Sequence, residues 1–160
     1  MKVRPANSPK PPARRIAGFT LIELMIAVVV VGLLAMVALP SFLDSIRKGR
    51  RSEAFAAISS IQQAQERWRS NNATYASSLS ALNITPSTTA SGNYALSTDV
   101  PASAAASTYT VTATGVAGTS QANDSCRNLS VQMASGVVTV AGCQSCTSFT
   151  YNATDPCWAK

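Results

Sequence analysis

The 24 residues from Phe19 to Phe42, FTLIELMIAVVVVGLLAMVALPSF, carry only three side chains with polar atoms: Thr20, Glu23 and Ser41. About 20 apolar residues are enough for one helix to cross the hydrocarbon core of a bilayer. A cleavable secretory signal has a shorter apolar core, and a carboxylate at its start fits that class badly. The run therefore reads as a retained membrane-spanning helix. In a chain of 160 residues, the part beyond this helix has room for one small globular head.

The formal net charge of +6 is unevenly distributed. Of the 13 basic residues, Lys2, Arg4, Lys10, Arg14 and Arg15 precede Gly18, leaving eight against seven acidic residues in the rest of the chain. From Asn71 onward, Arg127 and Lys160 face Asp99, Asp124 and Asp155. That balance gives the head little grip on a polyanion. Residues 1–18 are Pro-rich, basic and without hydrophobic pattern, and are expected to be a leader without a core of its own. Basic residues also come after the apolar run, as Arg47, Lys48, Arg50 and Arg51. Charge alone therefore leaves the orientation in the membrane open.

Beyond Pro40 the pattern stays helical, with Phe42, Ile46, Gly49, Phe55, Ile58, Ile61, Gln65 and Trp68 near one face. Pro40 is expected to kink or loosen the helix without ending it. Asn71 and Asn72 supply a stop. In the Ser/Thr/Ala-rich stretch 73–107, Tyr75, Leu79, Leu82 and Ile84 are spaced to pin a loop against the helix. Strands are predicted at 93–98, 108–114, 128–133 and 137–141, the last two joined by a Ser135-Gly136 turn. The fold class is thus α+β: a long N-terminal helix packed on a small antiparallel sheet. Its inward face would include Tyr109, Val111, Leu129, Val131, Val138 and Val140. The domain reading is 1–18 leader, 19–42 hydrophobic helix, 43–72 amphipathic helix and 73–160 head.

All four cysteines, Cys126, Cys143, Cys146 and Cys157, fall in the last 35 residues. With an export-type N-terminus they read as disulfides formed outside the cytosol. A zinc site would need two close pairs, and only Cys143 and Cys146 are close. A redox Cys-x-x-Cys would need a βαβ context that the pattern around them lacks. Four cysteines permit three connectivities. Cys126 and Cys143 lie nearly opposite across the predicted hairpin, which favours 126–143 with 146–157. With no histidine and no paired acids, the chain offers no catalytic centre and calls for no cofactor or metal.

The stretch Gly18-Phe19-Thr20-Leu21-Ile22-Glu23, with basic residues before it and the apolar helix after it, resembles the N-terminus of type IV pilins of the IVa kind. The resemblance is close over about residues 14–70 and implies a pilin fold. It also implies that a prepilin peptidase of the inner membrane cuts after Gly18 on the cytoplasmic side and methylates Phe19. Glycine there suits an extended backbone entering a protease cleft. The precursor would then sit in the inner membrane with its head in the periplasm, be handled by the assembly platform, and join other pilin subunits in an extracellular filament.

A carboxylate in an apolar segment costs about 2.5–3.5 kcal/mol on insertion scales and needs compensation. The resemblance assigns Glu23 to registering an incoming subunit, with the new amine of Phe19 as its partner. The alternative is a glutamate snorkelling to the interface. Gly32 and Pro40 mark the stretch where pilin helices loosen on packing, and they also read as ordinary helix irregularities. A cysteine opening a strand and a closing Cys157-Trp158 resemble the disulfide-closed loop of pilins. That pairing joins Cys126 with Cys157 and leaves Cys143 with Cys146, and it is preferred to the hairpin scheme.

Three functions compete. The first is a structural pilus subunit serving adhesion, twitching motility or DNA uptake. The second is a DNA-binding minor pilin, suggested by the likeness of Ala64–Arg67, Asn71–Tyr75 and Cys157-Trp158 to minor pilins of the PilE and ComP type. The scarcity of basic residues in the head makes nucleic acid the less favoured partner. The third is a pseudopilin of type II secretion, against which stand the cysteines and the lack of clustered acids.

Overall fold

The computed structural model of the chain describes residues 18–158. The basic leader up to Ala17, and Lys160, lie outside the described residues. Helix α1 (Leu21–Arg69) is followed by four strands, β1 (Tyr94–Asp99), β2 (Thr108–Gly115), β3 (Asn128–Ala134) and β4 (Val137–Cys143). The chain divides between Leu39 and Pro40 into two compact units.

The first unit is the apolar part of α1. Thr20 starts the helix in the expected chemical way, its Oγ1 accepting a hydrogen bond from the backbone N–H of Glu23 at 3.3 Å. Every large apolar side chain between Phe19 and Leu39 is exposed in this single chain. The described residues contain one helix long and apolar enough to cross a membrane, and it is α1.

The second unit is an α+β head: the remainder of α1 packs on an antiparallel meander with strand order β1-β2-β3-β4. The helix buries Arg51, Ala54, Ile58, Ile61, Ala64 and Gln65, a stripe at three- and four-residue spacing. The stripe is buried only from Arg51 onward, since Phe42 and Gly49, expected on the same face, are exposed. α1 ends at Arg69, and its last turn is closed by Asn72 Nδ2 donating to the carbonyl of Trp68 at 2.8 Å.

Strand β2 alternates cleanly, with Tyr109, Val111 and Ala113 turned into the core. Its register carries the core across the sheet, placing Val111 opposite Val131 and Val131 opposite Val140. Tyr109, Val111, Leu129 and Val131 are buried as expected. Val138 is a correction: it is 52% exposed, because β4 is the edge strand and its opening residues overhang a cleft on the α1 surface. Val140 is half-buried against the core. The β3–β4 turn is formed by Ser135 (φ 51°) and Gly136 (φ 84°), the paired positive φ values of a tight hairpin.

After β4 the chain returns along its edge, bridged at Val140 and Asn152, and delivers Cys157 and Trp158 to the core. Trp158 rests on Phe55 with ring centroids 4.7 Å apart, and its indole N–H donates to the carbonyl of Ala141 at 3.0 Å. Gly142 permits this approach: a Cβ there would lie 2.3 Å from Cys157 Cβ. Any larger residue on β4 at this point would push the tail away.

Candidate functional site

At the N-terminal site, Gly18 and Phe19 lie outside any helix or strand and are exposed, immediately ahead of α1. Glu23 is the one acid of the first helical turn, where the positive end of the helix dipole favours it. In the uncut chain the nitrogen of Phe19 is an amide, so an amine partner for Glu23 exists only after cleavage. Thr20 is the residue that sequence reasoning passed over. Thr20-Leu21-Ile22-Glu23 has the Thr-x-x-Glu spacing of a capping box, a signal legible in the sequence. Gly32 has open space around its Cα, and Pro40 lies inside α1 without ending it.

The head is closed by two disulfides, Cys126–Cys157 with a sequence separation of 31 and Cys143–Cys146 with a separation of three. The hairpin scheme fails on register: Cys143 stands opposite Asn128, not Cys126. Cys126 lies before β3 and points into the core, where the returning tail meets it. Closing the longer loop is worth about 3.5 kcal/mol in the chain-entropy account, and the shorter about 2 kcal/mol.

A buried polar cluster ties α1 to the segment before β3. Arg51 donates to both carboxylate oxygens of Asp124, through Nε at 2.7 Å and through Nη2. The backbone N–H of Cys126 donates to Asp124 at 3.2 Å. Gln121 Nε2 lies 2.6 Å from the Tyr94 hydroxyl and 3.3 Å from both the Asp124 carboxylate and the carbonyl of Arg47. Burial by itself would push the Asp124 carboxyl up, but the hydrogen bonds from Arg51 and Cys126 outweigh it and hold the group below the ordinary aspartate range.

Two neighbouring arginines are drawn to the same segment. Arg47 donates to the Ser120 carbonyl at 3.3 Å and to Asp44 at 2.8 Å, and Arg50 donates to the Ser120 hydroxyl. The basic run after the apolar segment is thus largely spent inside the molecule, while Lys48 is exposed. As one member of a charge cluster, Arg51 gives no hint of burial. The available signal is its place three residues before Ala54 and seven before Ile58, on the helix stripe.

A family model described as type IV minor pilin ComP, DNA uptake sequence receptor, matches residues 40–130, more than half of the chain. The prokaryotic N-terminal methylation motif matches residues 13–39. Among similar proteins, a fimbrial protein of Neisseria meningitidis is 36% identical over 52% of this chain and 49% of its own length. The fimbrial protein EcpC of Eikenella corrodens is 35% identical over 62% of this chain and 65% of its own. The type IV major pilin protein PilA of Myxococcus xanthus is 35% identical over 43% and 31%. The chain thus spans less than two thirds of the length of each of these relatives. The motif match takes in the start of the apolar helix and the family match more than half of the chain, and the chain belongs to the type IV pilin family.

Proposed function

We propose that this pilin is a non-enzymatic filament subunit, stored in the inner membrane with its head in the periplasm. Prepilin peptidase cuts after Gly18 and methylates Phe19, and the assembly platform then moves the subunit into an extracellular pilus. The observation that carries this reading is the unburied apolar surface of α1 directly behind the Gly-Phe-Thr-Leu-Ile-Glu motif. That surface has two chemically equivalent environments: lipid before assembly and the helices of other subunits after it. Glu23 gains the amine of Phe19, on its own chain or a neighbour's, when cleavage creates it. Glu23→Ala leaves cleavage after Gly18 intact and sharply lowers the subunit's share in sheared filaments, read by immunoblot of membrane and filament fractions. Normal incorporation of that variant overturns the registering role.

A second reading, a minor pilin that takes up DNA, is favoured by the family match over residues 40–130. The engagement of Arg47, Arg50 and Arg51 within the head weighs against extensive phosphate contact. Its test is a salt titration of duplex binding by the full chain in detergent. A receptor would show tight, sequence-dependent binding whose logarithm falls with log salt by about 0.9 per phosphate contacted. Flat, weak binding leaves the filament subunit as the whole function.

A further inference from the structure

The turn after β4 is closed by a covalent bond and by little else. Ser145, Thr147 and Ser148 make no hydrogen bond among the described residues, and the disulfide between Cys143 and Cys146 is the tie that shuts the turn. On the near side, Asn128 Nδ2 donates to the carbonyl of Gln144 at 3.1 Å and lies 3.9 Å from Cys143 Sγ. On the far side Phe149 packs on Tyr151, the Tyr151 hydroxyl meets Ser130 Oγ at 2.9 Å, and Asn152 exchanges two backbone bonds with Val140. Cys146 is exposed and Cys143 half-buried, whereas Cys126 and Cys157 of the other disulfide are only 6% and 9% exposed. Residues 128–154 contain no Lys, Arg, Asp or Glu.

We propose that Cys143–Cys146 is a thiol–disulfide exchange site for small external thiols of the glutathione class, with the chain as the substrate of the exchange and not its catalyst. The thiolate of the small thiol attacks the exposed Cys146 Sγ. The Cys143–Cys146 bond breaks, its electron pair stays on Cys143 Sγ, and a mixed disulfide forms at Cys146. Asn128 Nδ2 is placed to donate to the new Cys143 thiolate, and a stabilised thiolate leaves faster. A second small thiolate then attacks the sulfur of the bound one, and a small-molecule disulfide departs. The two protons given up by the small thiols reach Cys143 and Cys146 through water. The chain has then gained two electrons and the two thiols have been joined in one disulfide, which can drive the reaction backward. Glutathione is an anion at neutral pH, and the charge-free stretch around the turn sets no carboxylate beside it in sequence to repel the approach. Opening stays local, because the Cys126–Cys157 bond, the Val140–Asn152 bridge and the β3–β4 register all lie outside the turn.

The test uses the full oxidised chain in detergent, with reduced glutathione as the probe and alkylation with peptide mass mapping as the readout. Cys143 and Cys146 are expected to be alkylated about tenfold faster than Cys126 and Cys157, at a rate that rises with pH as the probe ionises. Hydrogen exchange of the opened chain should speed up in residues 143–149 and stay unchanged in β2 and β3. Single-cysteine variants read the direction of attack. Cys143→Ser treated with glutathione disulfide holds one glutathione on Cys146, and Cys146→Ser is thiolated about tenfold more slowly at the half-buried Cys143. Asn128→Ala slows the opening about threefold if the amide serves the leaving thiolate, whereas loss of a merely structural pin on Gln144 would speed it. Equal opening of the two disulfides, faster thiolation at Cys143 than at Cys146, an opening rate unchanged or raised in Asn128→Ala, or lost protection across the sheet would overturn the proposal.

Discussion

Before and after Arg51, α1 is equally helical and differently solvated: exposed ahead of it, and buried along one stripe from it onward. Val37 is 80% exposed, and 21 residues later Ile58 is 1% exposed, although both are β-branched apolar residues on one helix. Hydrophobicity therefore does not decide burial within the chain. Ile58 has a sheet laid against it, built from Val111, Leu129 and Val131, whereas Val37 has only what other molecules supply. The first unit leaves its apolar surface open, and the second buries one stripe of α1 in its own core while Val137 and Val138 stay exposed.

The largest test of this contrast acts on the closed side. Asp124→Ala strands the Arg51 charge in the head and is expected to cost about 3–5 kcal/mol in chemical denaturation. Replacing both partners by apolar residues should cost less than either single change. The carboxyl of Asp124 is held below its ordinary range when folded, so the unfolded chain takes up a proton first as pH falls. The stabilisation is complete above the ordinary aspartate value of about 4 and is lost progressively below it. In Asp124→Asn this acid slope should flatten, and an unchanged slope would show that the pair does not hold the head together.

Next in size are the two disulfides. Removing Cys126–Cys157 by paired Cys→Ser changes is expected to cost about 3.5 kcal/mol, and removing Cys143–Cys146 about 2 kcal/mol. Cys157 is buried in the core and Cys146 is exposed, so a mild thiol should open 143–146 first. Alkylation followed by peptide mass mapping reads the order, and the reverse order would contradict the placement of the tail. The smallest effect belongs to the open side. Val37→Ala should shift the melting of the head by less than about 0.5 kcal/mol while leaving α1 membrane-inserted. A larger shift would mean that the first unit is packed within its own chain after all.

The fold is legible in the sequence where one period dominates. The alternating Thr-Tyr-Thr-Val-Thr-Ala-Thr of β2 and the Ser-Gly turn before β4 are local signals, and the helix stripe from Ile58 to Gln65 is another. Val138 departs from expectation because alternation names a face and is silent on how far the helix covers it. Arg51 and Asp124 are 73 residues apart, and no local pattern announces their pairing. Thr20 is legible as a cap and is overshadowed by the more conspicuous Glu23.

The sequence by itself determined the apolar helix, the motif around Gly18 and Phe19, the α+β class and the clustering of the cysteines near the end of the head. Those are properties of composition and short-range spacing, which act wherever the chain goes. Only the tertiary structure decided where α1 passes from open to covered, which basic residues are spent internally, and how Cys157 reaches Cys126 past the bare Cα of Gly142. Such contacts form between residues far apart in the chain, and their energy depends on burial that no neighbouring residue reports.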